Sequence, residues 1–175
     1  MEFLFILDLD MNRLPVHNAL KSLSWLEGTW RTEVPGEGKF PTIKPFGYLE
    51  EIKFTSIGQP MLNYEAQSWH PEKKNPMHRE VGFLKIIPGT NKVKLILSHN
   101  FGLATIEEGV VDRLNIKLDS TSVCRVTEGT KDPAVTRIKR EFIRKENSLE
   151  QVIYMTTSNT QELTEHLRAT YIKID

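Results

Sequence analysis

The stretch SLEQVIYMTT (residues 148–157) carries apolar side chains on both of its faces. Residues two apart in a strand share a face. Leu149, Gln151, Ile153 and Met155 therefore oppose Glu150, Val152, Tyr154 and Thr156, and neither set is purely polar. A strand of this kind touches core on one side and is partly covered on the other, which suits the wall of a barrel with a ligand cavity. Similar short runs lie on either side of it: YLEEIKFTSI (48–57), MLNYEAQSW (61–69), REVGFLKII (79–87), NKVKLILSH (91–99), LATIEEGVV (103–111), RLNIKLDS (113–120), VTRIKREFI (135–143) and RATYIKI (168–174). Turn-forming GQP, HPEKKNP, PGTN, KDP and KEN separate them. TWRTE (29–33) and TSVCRVT (121–127) are weaker strands.

The count comes to about ten strands with no long helix between them, which indicates antiparallel neighbours and not crossover units. Near-regular spacing favours closure, because a closed sheet has no exposed edges. The expected fold is all-β: a closed, ten-stranded, antiparallel up-and-down barrel of lipocalin-like or fatty-acid-binding-protein-like build. A short helix should precede it over residues 16–26, where Pro15 opens PVHNALKSLSWLEG, Leu20, Leu23 and Leu26 fall three apart, and Gly28 ends the run. PGEGKFPT (35–42) reads as a turn, since no buried strand and helix frame it as a phosphate cradle. Residues 1–14 read as an N-terminal extension and 15–175 as one domain. MEFLFILDLD at the start has too short an apolar run for a targeting segment.

Composition narrows the function classes. Lys+Arg and Asp+Glu both number 23, so no net charge recommends nucleic acid or an anionic membrane as a partner. The single cysteine, Cys124, cannot close an internal disulfide, which fits a reducing compartment. The expected location is the cytoplasm, or the nucleus as well. The histidines are His17, His70, His78, His99 and His166; none pair at i,i+4 on a helix, and no cysteine pair is present, so spacing gives no expectation of zinc. Alternation from Leu167, Ala169 and Tyr171 places His166 on the more polar face with Arg168 and Thr170. The barrel rim could still turn it inward, because alternation need not hold before a strand begins.

LSWLEGTWRTEVPGEGKFPTIKPFGYLEEIKF, GQPMLNY, PMHREVGF and LTEHLRATY, taken in order across roughly residues 20–175, resemble the nitrobindin family. The similarity is greatest to its animal branch, in which the barrel accompanies a THAP-type zinc finger. The resemblance implies a ten-stranded barrel holding one haem b per chain. It implies that His166 is the proximal iron ligand, that Thr42 contacts the macrocycle, and that Met77 and His78 stand on the distal side. A lysine lining the pocket in some members falls at Lys139. Gly28 and Trp30 of the bacterial G-x-W-x-G-x-G pattern are kept, while Thr32 replaces its next glycine. The finger has no counterpart here, so DNA binding does not carry over. The implied function is nitric oxide binding and isomerisation of peroxynitrite to nitrate at ferric haem, with His166 and His78 as the residues that act. Homodimerisation stays open. So does a reading from another class, in which the barrel carries a fatty acid or other apolar ligand without catalysis.

Overall fold

The computed structural model describes residues 14–175, so the extension over 1–14 lies outside the described residues except for Leu14. Its strands are β1 (Gly28–Thr32), β2 (Gly36–Gly38), β3 (Phe46–Gln59), β4 (Met61–Trp69), β5 (Pro76–Ile86), β6 (Lys92–His99), β7 (Leu103–Asp112), β8 (Asn115–Arg125), β9 (Val135–Lys145), β10 (Ser148–Thr157) and β11 (Thr164–Lys173). From β3 to β11 each strand pairs antiparallel with the next, as a meander. The sheet then closes on itself. β1 pairs with β11 through Trp30–Lys173 and with β3 through Gly28–Phe54. β2 bridges the same two strands further along, Leu167–Gly38 on one side and Gly36–Tyr48 on the other.

β1 and β2 thus share one position in the barrel, so the 11-stranded sheet is a ten-stranded barrel with one strand divided in two. The division falls at Glu33, Val34 and Pro35. Proline has no amide proton to give to a ladder, and the chain leaves the sheet there. Beyond it GEG re-enters as a strand, where the sequence had suggested a turn. Gly38 lets the Phe46 ring fold over the strand: a Cβ there would lie 2.5 Å from the ring and push it aside.

The helix is shorter and tighter than expected. Asn18–Leu23 forms a 3₁₀ helix, capped by the His17 ring, which accepts from the Ala19 amide at 3.1 Å. Three residues per turn is the 3₁₀ period, so leucines spaced by three all face one way. Leu20, Leu23 and Leu26 are completely buried. They plug one end of the barrel together with Trp30, Ile52, Phe54, Leu84, Leu95, Ile116 and Phe142. The other end is open. Between plug and mouth the inward set turns polar: Glu50 of β3, Tyr64 of β4, Glu80 of β5, His99 of β6, Glu107 of β7, Arg140 of β9 and Gln151 of β10 are all buried.

β11 carries the irregularity that matters most. Its Leu167 pairs with Ile153 and its Glu165 with Tyr154, so His166 is the extra residue of a β-bulge. A bulge places two residues of one strand against one of its partner and re-aims a side chain. His166 is 1 % exposed, and the polar-face position given by simple alternation is corrected.

Candidate functional site

The open end of the barrel encloses a cavity of about 440 Å³, within the usual range for small-molecule sites. Phe40, Phe46, Met77, Leu103, Val135, Ile153, Met155 and Leu167 give it apolar walls, and Arg125 and Lys131 are the cations at its mouth. His78, Glu80 and His99 line it from β5 and β6, with Arg140 in the floor.

His166 stands beside this space, under Phe40, with ring centroids 4.8 Å apart and the planes nearly perpendicular. Its Nδ1–H donates to the Thr164 carbonyl at 2.8 Å, and that bond fixes the tautomer. The lone pair is left on Nε2. Among the described residues three buried side-chain nitrogens lack a hydrogen-bond partner, those of Arg144, Gln151 and His166. Only at His166 is the orphan an acceptor on a ring whose other nitrogen is tied to a carbonyl. This is how a protein presents a metal-ligating imidazole, and an unsatisfied buried acceptor is otherwise costly.

The remaining residues named from sequence fall into two groups. Met77 and His78 line the cavity. His78 is no loop residue: it belongs to β5, and its Nε2 lies 3.1 Å from His99 Nδ1. Burial brings its pKa down to about 4, although the Glu80 charge pulls the other way. Thr42 and Lys139 are not in the lining. Thr42 sits in an exposed turn, and Phe40, two residues earlier, is the part of that segment that reaches the cavity. Lys139 is corrected: it points outward, pairs with Glu141 at 2.8 Å and lies over the Tyr154 ring. Its neighbour Arg140 takes the inward position, as period two requires.

Sequence reasoning missed the polar floor. Arg140 binds Glu80 through Nη1 at 2.9 Å and Nη2 at 3.0 Å, and Glu107 through Nε at 3.1 Å. Tyr64 donates to Glu80 at 3.0 Å. Burial alone would raise the Glu80 pKa, but Arg140 and the two imidazoles hold it well below the usual carboxylate range. Glu50 has no cation bonded to it: burial raises it to about 7, and the hydrogen bond from Tyr171 and the more distant Arg140 charge offset this only in part. The signal was there. Arg140 lies in phase with Ile138 and Phe142, and Glu50 with Tyr48, Ile52 and Phe54, so charged residues sit within apolar sets.

The family model described as "THAP4-like, heme-binding beta-barrel domain" matches residues 19–173. The chain belongs to this THAP4-like haem-binding family. Its similar relatives include "Peroxynitrite isomerase THAP4" of Rattus norvegicus, 45% identical over 156 residues, and that of Homo sapiens, 43% identical over 156 residues. Those alignments cover 89% of this chain but 27% of each mammalian protein, so the chain spans about a quarter of their length. "Peroxynitrite isomerase Rv2717c" of Arabidopsis thaliana is 36% identical, covering 91% of this chain and 92% of that protein. The crystal structure of Rv2717c from M. tuberculosis superposes with a TM-score of 0.81 at 31% identity, covering 92% of this chain and 100% of the other. The THAP4-like haem-binding fold is thus shared along nearly the whole barrel. The residues fit the cofactor of the family: an unpartnered imidazole nitrogen for iron, apolar walls for a flat macrocycle, and mouth cations suited to carboxylates.

Proposed function

We propose that this chain holds haem b in the open end of its barrel through His166 and isomerises peroxynitrite to nitrate there, with nitric oxide as a second small ligand. The observation that carries the reading is the buried, unpartnered Nε2 of His166, left as the lone-pair nitrogen by the Thr164 carbonyl. Relatives bearing the name peroxynitrite isomerase support the substrate.

When bound, haem would supply iron chemistry toward small oxygen and nitrogen ligands. The chain does the rest. His166 would hold the group through its unpartnered Nε2. Phe46, Met77, Leu103 and Met155 would keep the cavity around it apolar and short of water. Arg125 and Lys131 favour anions at the mouth, both cofactor carboxylates and an arriving peroxynitrite. His78, neutral at physiological pH, can offer or accept a single hydrogen bond within the cavity without adding charge. Exposed, unpaired Cys124 supports a reducing compartment such as the cytoplasm.

The fatty-acid reading fares less well. A carboxylate taken to depth requires a free cation. Among the described residues the cation of the floor is Arg140, and two carboxylates already hold it. The test is a hemin titration followed by rapid mixing with peroxynitrite. A sharp Soret band at one equivalent and accelerated peroxynitrite decay are expected. Broad, weak absorption at every ratio would defeat the proposal.

A further inference from the structure

Two neighbouring strands bring together three metal-binding side chains that the haem reading does not use as ligands to iron. Glu80 of β5 pairs directly across the ladder with His99 of β6, and His78 lies two residues before Glu80 on the same face. Their donor atoms form a triangle: His78 Nε2 to His99 Nδ1 is 3.1 Å, His99 Nδ1 to Glu80 Oε1 is 3.3 Å, and His78 Nε2 to Glu80 Oε1 is 3.8 Å. A point about 2.0 Å from all three corners exists, which is the bond length of zinc to nitrogen or oxygen. We propose that His78, Glu80 and His99 form a second metal site, for a divalent first-row transition metal of the zinc class, in the wall of the cavity.

The surroundings are those of a ligand set. His99 Nε2–H donates to Thr105 Oγ1 at 3.4 Å, and Thr105 donates in turn to Glu107 at 3.2 Å. This relay leaves the His99 lone pair on Nδ1, the nitrogen facing the other two donors, and such outer partners orient metal-bound imidazoles. The Glu80 carboxylate is held from behind: Tyr64 and Arg140 Nη1 donate to Oε2, and Arg140 Nη2 donates to Oε1 at 3.0 Å, leaving the second lone pair of Oε1 for a metal. Charge points the same way. The buried cluster contains two carboxylates, Glu80 and Glu107, and one guanidinium, Arg140, and so has negative charge to spare for a cation. Two imidazoles and one carboxylate are a donor set suited to zinc or ferrous iron, and the side toward the cavity is left for an exogenous ligand. The rearrangement needed is at the two imidazoles: the His78 ring proton moves from Nε2 to Nδ1, so that no proton is lost, and the two parallel rings turn from facing each other toward the metal. The register of two paired strands assembles the site, which is why histidine spacing along the sequence gave no sign of it.

The site stands apart from the haem proposal and is tested separately. The full chain, stripped with a chelator and without hemin, is dialysed to equilibrium against Zn2+, and bound metal is measured per chain. Co2+ is then added as an optical probe of coordination. One equivalent of zinc is expected. His78→Ala and His99→Gln should each weaken uptake by about 100-fold, and Thr105→Val by about 10-fold. His166→Ala should leave zinc uptake unchanged while losing the histidine-ligated Soret spectrum with hemin, so the failure of one proposal is visible apart from the other. Circular dichroism of the metal-free variants controls for folding. If His99→Gln does not fold, the partly exposed His78→Ala decides. Uptake well below one equivalent, or uptake in His78→Ala equal to wild type, would overturn the site.

Discussion

His166 gains its properties from one backbone irregularity and one carbonyl. The bulge at Glu165–Leu167 takes His166 out of the alternation, its ring is buried against Phe40, and Thr164 fixes which nitrogen is free. Replacing it with alanine removes a ring that packs only at the edge of the core, so the barrel should remain folded. Hemin should then bind without the histidine-ligated Soret spectrum, and peroxynitrite isomerisation should be lost with it. Added imidazole, filling the vacated space, should restore part of both; a wild-type spectrum in His166→Ala without imidazole would remove His166 as the ligand. Glu50 gives a prediction of another kind. Its folded pKa of about 7 is above that of an unfolded glutamate, so the folded protein is the better proton binder. Its contribution is fully present below the unfolded pKa, near 4.5, and is lost as pH rises toward and through 7. Glu50→Gln keeps an acceptor for Tyr171 and has no charge to bury. It should melt several degrees above wild type at pH 8, corresponding to roughly 2–3 kcal/mol, with the gap closing toward pH 5. Equal melting temperatures across that range would show that Glu50 ionises freely in the folded state.

The strands differ in how plainly their residues announce them. In β4 the alternation of Leu62, Tyr64, Ala66 and Ser68, all buried, with half-exposed neighbours follows the pleat without exception. β6 does so too, and its off-phase Ile96 simply lies on the outer face at 39% exposure. Where local rules break, reading fails for identifiable reasons. Pro35 splits one strand position, so a strand of three residues with two glycines resembled a turn. The bulge in β11 shifts the phase by one residue, which no alternation rule anticipates. The resemblance supplied His166, but it also supplied Lys139, whose strand phase sends it outward; there the periodicity of Ile138, Arg140 and Phe142 was the better guide. β5 shows a tighter constraint. A Cβ at Gly82 would lie 1.8 Å from the Ile96 carbonyl oxygen, so the β5–β6 pairing would have to open to admit it. Gly82→Ala should cost on the order of 3 kcal/mol or more in urea unfolding. A change below about 0.5 kcal/mol would show that the strands separate there easily.

Across the whole molecule, Arg140 is the tie between walls. From β9 it reaches Glu80 on β5 and Glu107 on β7, fastening strands that do not pair with one another. Replacing one member of a buried ionic cluster leaves the others uncompensated. Arg140→Met should therefore destabilise the barrel by about 3–5 kcal/mol, enough to lower the melting temperature by roughly ten degrees. A melting temperature within two degrees of wild type would mean that the carboxylates take up protons at little cost. Closure has a consequence in time as well as in space. The strand that bears His166 is the last of the barrel to leave a ribosome, and the segment it must meet, β1, is the first. Thr29 waits for Asp175 across a separation of 146 residues. Until then β3–β10 emerge as an open meander with two raw edges, at about 5–20 residues per second. A nascent chain therefore cannot form its cofactor pocket early, and for several seconds its edges can pair with any neighbouring strand within reach.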